Sequence, residues 1–175
     1  EEFNELAKKF DLQKFDQLSK QMDSRMEDLS KQLDRNMQLL KKMKIEQKIE
    51  RILQSLRDLE IAEKSASENI PKSSELDNFI NEKKEQLQLL KSLSQEYSQT
   101  LELNQTLSKP MNLLSFDEEF SGLINGFENT VNELNDKNRR KASDQMERNS
   151  QNLKELVFAM GQMLKNLNSK ENQQN

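Results

Sequence analysis

The sequence predicts an all-α protein: an elongated coiled coil of three long helices that form an antiparallel helical hairpin bundle with unequal arms. Large apolar residues recur at intervals of three and four, which is the spacing of a single helix face. Three glycines and two prolines among 175 residues leave little to interrupt such helices. Hydrophobic residues make up only 33% of the chain, which is enough to cover a narrow stripe on a rod but too little to fill a compact core.

The first helix is predicted from about residue 2 to residue 67. Between Phe15 and Leu40 its apolar pattern repeats every eleven residues, which predicts a straight or weakly right-handed coiled coil. From Ile45 to Leu59 the pattern is a heptad, which predicts a left-handed supercoil. The repeat changes near the basic run Lys41–Lys44, either as an accommodation in packing or as a hinge.

A linker is predicted over residues 68–74, because this stretch contains Ser and Asn residues and Pro71, which cannot continue a helix. The second helix follows from residue 74 or 75 to about 108. Lys83 falls within the apolar row of this helix, and its long side chain can extend from there to solvent.

A second linker is predicted over residues 109–115, which include Pro110. Three apolar residues in so short a segment need cover, because apolar side chains are normally buried. They either plug the end of the bundle or form a docking loop for a partner. These residues are Met111, Leu113 and Leu114.

The third helix is predicted over residues 116–170, and a polar tail over 171–175. Ser115 and Glu118 match a capping box, the clearest helix start in the sequence. The middle of this helix has polar residues in its apolar row: Asn138, Gln145 and Asn149. Buried amides would fix the helix register; alternatively, the stretch from 135 to 150 faces water and bends easily.

Unequal helix lengths predict exposed apolar stripes. At 1.5 Å per residue the three helices would be about 100, 50 and 80 Å long, so the second covers only the C-terminal half of the first. A first partner-binding stripe is predicted at Phe3, Leu6, Phe10, Phe15, Leu18, Met22, Met26 and Leu29, and a second exposed stripe at Met160, Met163, Leu164 and Leu167. The chain is expected to be one structural unit, and the stripe that starts at Phe3 favours a segment of a longer protein.

The composition argues against catalysis. The chain contains no His and no Cys, which excludes imidazole acid–base chemistry, thiol nucleophiles and ordinary zinc sites. Its three glycines do not form a phosphate-binding loop. We therefore predict no catalytic residue, no metal site, no cofactor and no small-molecule ligand.

Charge is balanced along the chain, with 27 basic and 31 acidic residues and a net charge of −4. Interleaved charges are typical of solvated helix faces rather than of nucleic-acid surfaces. One basic run, Arg139 to Lys141, precedes Ser143 and resembles a site for a basophilic kinase. The alternative interpretation is a solvated basic turn.

The sequence thus predicts a structural or adaptor coiled-coil subunit that binds other helical chains, as a homo- or hetero-oligomer, within a larger assembly. Long helices of this composition occur in nucleoporin, kinetochore, spindle-pole and vesicle-tether subunits, and no motif selects one of them. The expected location is intracellular, in the cytoplasm or nucleus. Two alternatives are a membrane-surface helical module, which the even charge of the first helix disfavours, and a secreted or surface coiled coil that binds a host protein.

Overall fold

The computed structural model describes residues 2–173 and shows four helices within that range. Their bounds are α1 (Glu2–Glu68), α2 (Leu76–Gln105), α3 (Asp117–Asn135) and α4 (Arg139–Gln173). The all-α prediction is confirmed, but the prediction of three helices is wrong. Residues 116–170 form two helices instead of one, and α4 continues past the predicted end at 170. The last two residues of the predicted polar tail lie outside the described range.

The break that divides the predicted third helix lies at residues 136–138. The Lys137 backbone is left-handed, with φ of 60°. The Lys137 amide donates to the carbonyl of Leu134 (3.1 Å), and the Asn138 amide donates to that of Glu133 (2.8 Å). This pair of bonds is a Schellman motif, which ends a helix by satisfying its last carbonyls. A lysine stands where glycine is usual, so no glycine marks this break in the sequence. The break lies at the start of the stretch from 135 to 150, for which one interpretation was an easily bent segment.

The chain divides into two compact units, Glu1–Lys41 and Lys42–Asn175. The first unit consists of the N-terminal part of α1. The second contains the rest of α1 together with α2, α3 and α4. The division falls at the basic run where the apolar repeat changes from eleven residues to seven.

The second unit is a four-helix bundle in which neighbouring helices run in opposite directions. Contacts between α1 and α2 pair late residues of one with early residues of the other, since Glu63 meets Lys83 and Arg51 meets Glu96. Likewise α1 and α4 are antiparallel, because Ser67 lies beside Ser143 and Glu60 beside Ser150. Buried residues from all four helices form the core: Ile45, Ile49, Ile52, Leu56, Leu90, Tyr97, Phe120, Phe127, Leu153 and Met160 are among them.

Side-chain hydrogen bonds hold both long connections against the bundle. The Arg139 guanidinium donates to the carbonyls of Ile70 and Pro71, each at 2.7 Å, and so fixes the α1–α2 connection. In the α2–α3 connection the Asn104 amide brackets the backbone of Met111, accepting from its N–H at 2.9 Å and donating to its carbonyl at 2.8 Å. The Ser115 hydroxyl accepts a bond from the Asp117 amide at 3.4 Å. The N-cap residue of α3 is Phe116 and no side chain in the described part of the chain caps the helix, so the predicted capping box of Ser115 and Glu118 does not form.

Candidate partner-binding surface

The predicted first stripe is a row of exposed apolar side chains on α1. Its eight residues, from Phe3 to Leu29, expose between 56% and 87% of their surface. The exposed row continues through Leu33, Met37 and Leu40, so the name α1 stripe is used below for the whole row from Phe3 to Leu40. Ile45 is the first buried apolar residue of the helix. The α1 stripe therefore extends over almost the whole of the first unit.

The predicted second stripe is not exposed, and that prediction is wrong. Met160, Met163, Leu164 and Leu167 are all buried in the main core cluster. The prediction assumed that one continuous helix projected past the first hairpin. The turn at 136–138 instead sends α4 back along the bundle, where the same face is covered.

The apolar loop residues Met111 and Leu113 are half-buried and pack against the main core. They act as a plug at the end of the bundle, as the first of the two interpretations proposed. Leu114 differs, because it is 51% exposed. It lies at the edge of an open groove of about 440 Å³ that Met163, Leu167 and Lys170 also line.

Tyr97 anchors the backbone of this loop from inside the bundle. Its buried phenol donates its one hydrogen to the carbonyl of Leu114 at 2.5 Å, and the Met163 sulfur lies 3.6 Å from the same oxygen. The ring packs against Phe116 and Phe120, with centroids 5.5 and 6.1 Å away. Burial raises the pKa of the Tyr97 phenol, and the nearby Asp117 carboxylate raises it further.

Ser143, the candidate phosphorylation site, is half-buried at the start of α4. Its hydroxyl donates to the carbonyl of Ser67 at 2.6 Å and so ties α4 to the end of α1. Next to it, the Glu147 carboxylate bonds the Lys64 ammonium at 3.3 Å and raises the pKa of that lysine. A kinase would have to break the Ser143–Ser67 bond before it could reach the hydroxyl.

A layer of buried polar side chains crosses the bundle, and each helix contributes one member. Glu63 of α1 and Lys83 of α2 form an ion pair at 2.7 Å, and these side chains are 0% and 2% exposed. The Asn149 amide of α4 donates to Glu63 (3.0 Å) and to the hydroxyl of Thr130 in α3 (3.1 Å). Lys83 therefore does not extend to solvent as expected, because a carboxylate meets it inside the bundle.

Neighbouring groups complete the hydrogen bonding of this polar layer. Lys83 also donates to Gln86 (3.0 Å) and lies over the ring of Phe79 at 5.5 Å. The Gln145 side-chain amide donates to the side-chain amide oxygen (Oδ1) of Asn149 at 2.9 Å. Gly126 lies where a Cβ atom would overlap that same oxygen. Close approach of α3 and α4 at this level therefore requires glycine.

The pairing within the polar layer favours one register of the four helices. The acid and base are paired with each other, and a paired, buried ion pair is expensive to break. Shifting any helix would leave a charge or an amide without a partner in a nonpolar interior. Asn149 therefore has the register role that was one of the two interpretations of the polar stretch.

Comparison with known proteins gives no further information on the α1 stripe or the polar layer. The chain matches no protein-family model, no curated protein and no solved structure. Within residues 2–173, no helix has the apolar length that a membrane crossing requires. Among the described side chains, no group of three or more potential ligands is placed to hold a metal ion.

Proposed function

We propose that this chain is a structural subunit that joins other helical protein chains through the α1 stripe. The observation that supports this most is the long row of exposed apolar side chains from Phe3 to Leu40, whose spacing is regular from Phe15 onward. A soluble protein rarely leaves so long an apolar row uncovered unless a partner binds there. A single helix also gains most of its stability from packing of its apolar face, so the first unit needs a partner.

The spacing of the α1 stripe favours a helical partner. From Phe15 to Leu40 its residues follow at three- and four-residue steps, and this narrow seam is the one that coiled coils bury between helices. Residues 2–41 carry eight acidic and eight basic residues, so the segment has no net charge. Helices that lie on anionic membranes usually carry an excess of Lys and Arg, which this segment lacks.

The proposed role is non-catalytic, with the bundle as a rigid module attached to the binding helix. The polar layer and the bonds from Arg139 and Ser143 hold its helices in one register. Such a module suits a scaffold or adaptor within a larger assembly in the cytoplasm or nucleus. Microscopy of the tagged chain in cells that express it would test that location.

A photoactivatable cross-linking residue at Met22, in cells that naturally express the chain, tests the proposal. We expect a protein adduct that Leu18→Asp with Met26→Asp abolishes. Gln13→Asp with Ser24→Asp adds the same charge to the opposite face of the helix and should leave the adduct intact. No adduct, or one insensitive to the first pair of substitutions, would refute a helical partner on the α1 stripe.

A lipid surface is the competing occupant, and vesicle sedimentation separates it from a protein. The purified chain should remain in the supernatant with vesicles of anionic phospholipid. Sedimentation that the Leu18→Asp and Met26→Asp pair abolishes would overturn the proposal in favour of a membrane-surface module.

A further inference from the structure

The partner on the α1 stripe can be specified further, in an inference that rests on the proposed function. We propose that it is a second copy of this chain, whose α1 runs parallel to the first and in register with it. Three observations support this arrangement: the spacing of the stripe, the distribution of charge along its two edges, and the exposure of the whole segment.

The spacing allows the stripe to pair with itself. Between Phe15 and Leu40 every position of the apolar row is Phe, Leu or Met, and all eight are exposed. Two copies in register therefore bring apolar side chains together at every level. The steps of this row, 3, 4, 4, 3, 4, 4 and 3, also read the same in reverse. Spacing alone consequently fits a parallel or an antiparallel pair.

The charges beside the row distinguish the two orientations. With about 3.67 residues per turn, the residues just before Phe15 and Met26 lie along one edge of the row. The residues just after Phe15, Met22, Met26 and Leu33 lie along the other. The first edge is basic and the second is acidic. Lys14 and Arg25 form the basic edge, and Asp16, Asp23, Glu27 and Asp34 form the acidic edge.

A parallel pair places opposite charges together. In that orientation the basic edge of one copy faces the acidic edge of the other, as e and g positions do in parallel coiled coils. Arg25 then lies level with Asp23 and Glu27 of the second copy. Of these three, Glu27 already pairs with Lys31 at 2.9 Å. Arg25 and Asp23 form no ion pair with any residue in the described part of the chain, so both are open to the second copy.

An antiparallel pair brings like charges together. When two antiparallel copies are aligned so that their apolar rows match, the acidic edge of one copy faces the acidic edge of the other. Asp23 then approaches Asp34 of the second copy, and the two Glu27 side chains approach each other. Like charges across a helical interface oppose association. The charge distribution therefore selects the parallel pair.

Single cysteines in the full chain test the orientation directly, because the native sequence contains none. In a parallel, in-register pair, Leu18→Cys alone and Met37→Cys alone should each form a disulfide-linked dimer. The reason is that the cysteine of one copy lies beside the same cysteine of the other copy. Ser24→Cys, on the opposite face, should form none. Cross-linking only when Leu18→Cys and Met37→Cys are mixed would show an antiparallel pair and overturn the proposal.

A charge reversal tests the attraction between Arg25 and the acidic edge of the second copy. Light scattering of the native chain should give a mass near twice 20.6 kDa at high concentration. Arg25→Glu should raise the dimer Kd about tenfold, from two lost attractions and new repulsions, and Asp23→Arg in the same chain should restore much of the affinity. Arg35→Glu, on the opposite face, should have little effect. Equal effects of the two reversals would overturn the charge argument.

Failure of this inference can be told apart from failure of the proposed function. A purified chain that stays at 20.6 kDa and yields no disulfide dimer overturns the second copy as the partner. If the Met22 adduct in cells then contains a different helical protein, the scaffold function stands. If no adduct forms either, both fall. Tyr97 fluorescence, unchanged in each variant, would confirm that the bundle remains folded.

Discussion

Gly126 offers the sharpest test of the polar layer, because Gly122 provides a matched control in the same helix. Both glycines lie inside α3, and a Cβ atom at Gly122 would meet nothing within 4 Å. Gly122→Ala should therefore stabilise the bundle by about 1 kcal/mol, which is the helix propensity difference. A Cβ atom at Gly126 would instead overlap the side-chain oxygen (Oδ1) of Asn149 and lie 3.0 Å from the side-chain nitrogen (Nε2) of Gln145.

The expected cost of Gly126→Ala follows from the bonds that Asn149 would lose. Displacing its amide breaks one bond to the Glu63 carboxylate, worth about 1.5–3 kcal/mol, and bonds to Thr130 and Gln145, worth about 1 kcal/mol each. Subtracting the propensity gain of about 1 kcal/mol leaves a net destabilisation of roughly 2.5–4 kcal/mol. The two alanine variants should then differ by at least about 3 kcal/mol.

Urea unfolding followed by tyrosine fluorescence measures this difference, since Tyr97 is the only tyrosine, the chain has no Trp, and Tyr97 lies in the bundle. In an Asn149→Ala background the obstructing side chain is gone, so Gly126→Ala should cost far less there. Equal stabilities of Gly122→Ala and Gly126→Ala in the native background would refute the reasoning.

Two further predictions concern the helix break and the buried phenol. Lys137→Gly should stabilise the bundle by about 1 kcal/mol in urea unfolding, because glycine adopts the left-handed backbone without steric cost. Asp136→Gly is the control: its φ is −81°, so glycine should destabilise the bundle there. Equal stabilities of the two variants would contradict a steric cost at Lys137. The raised pKa of Tyr97 means that its stabilising contribution is complete below about pH 10, the ordinary value, and is lost as the pH rises further, by about 1.4 kcal/mol per pH unit. Phenolate absorbance near 295 nm should therefore appear only together with unfolding, and Tyr97→Phe should remove this component of the alkaline loss; a phenolate spectrum in the folded chain near pH 10 would contradict it.

The sequence was sufficient for α1, α2 and the exposed α1 stripe because these depend on local spacing. Rows of apolar residues at three- and four-residue steps identified α1 and α2, and Pro71 and Pro110 located their connections. The break at Lys137 escaped because it depends on a backbone conformation that lysine rarely adopts. Missing that one turn also produced the wrong prediction for Met160 and its neighbours.

The polar layer could be seen only in part, because its members lie on four different helices. Lys83 and Asn149 stood out as polar residues in apolar rows. Glu63 carried the same signal, since it continues the row of Ile52, Leu56 and Leu59 after a step of four. Opposite charges within the apolar rows of two successive helices predict a buried pair. The spatial pairing itself depends on how the helices pack, which no single row specifies.

Because the chain is synthesised from its N-terminus, the α1 stripe is complete before the bundle can fold. The polar layer cannot form until its last members, Thr130 and Asn149, have been synthesised. Asn149 follows Leu40 by roughly 110 residues. At about 5–20 residues per second, the α1 stripe is complete some 5–20 s before that layer. Neighbouring ribosomes on one messenger RNA present their nascent chains in the same direction, as parallel pairing requires. Two copies can thus meet through α1 while their bundles are still being made, which would favour partners translated from the same message.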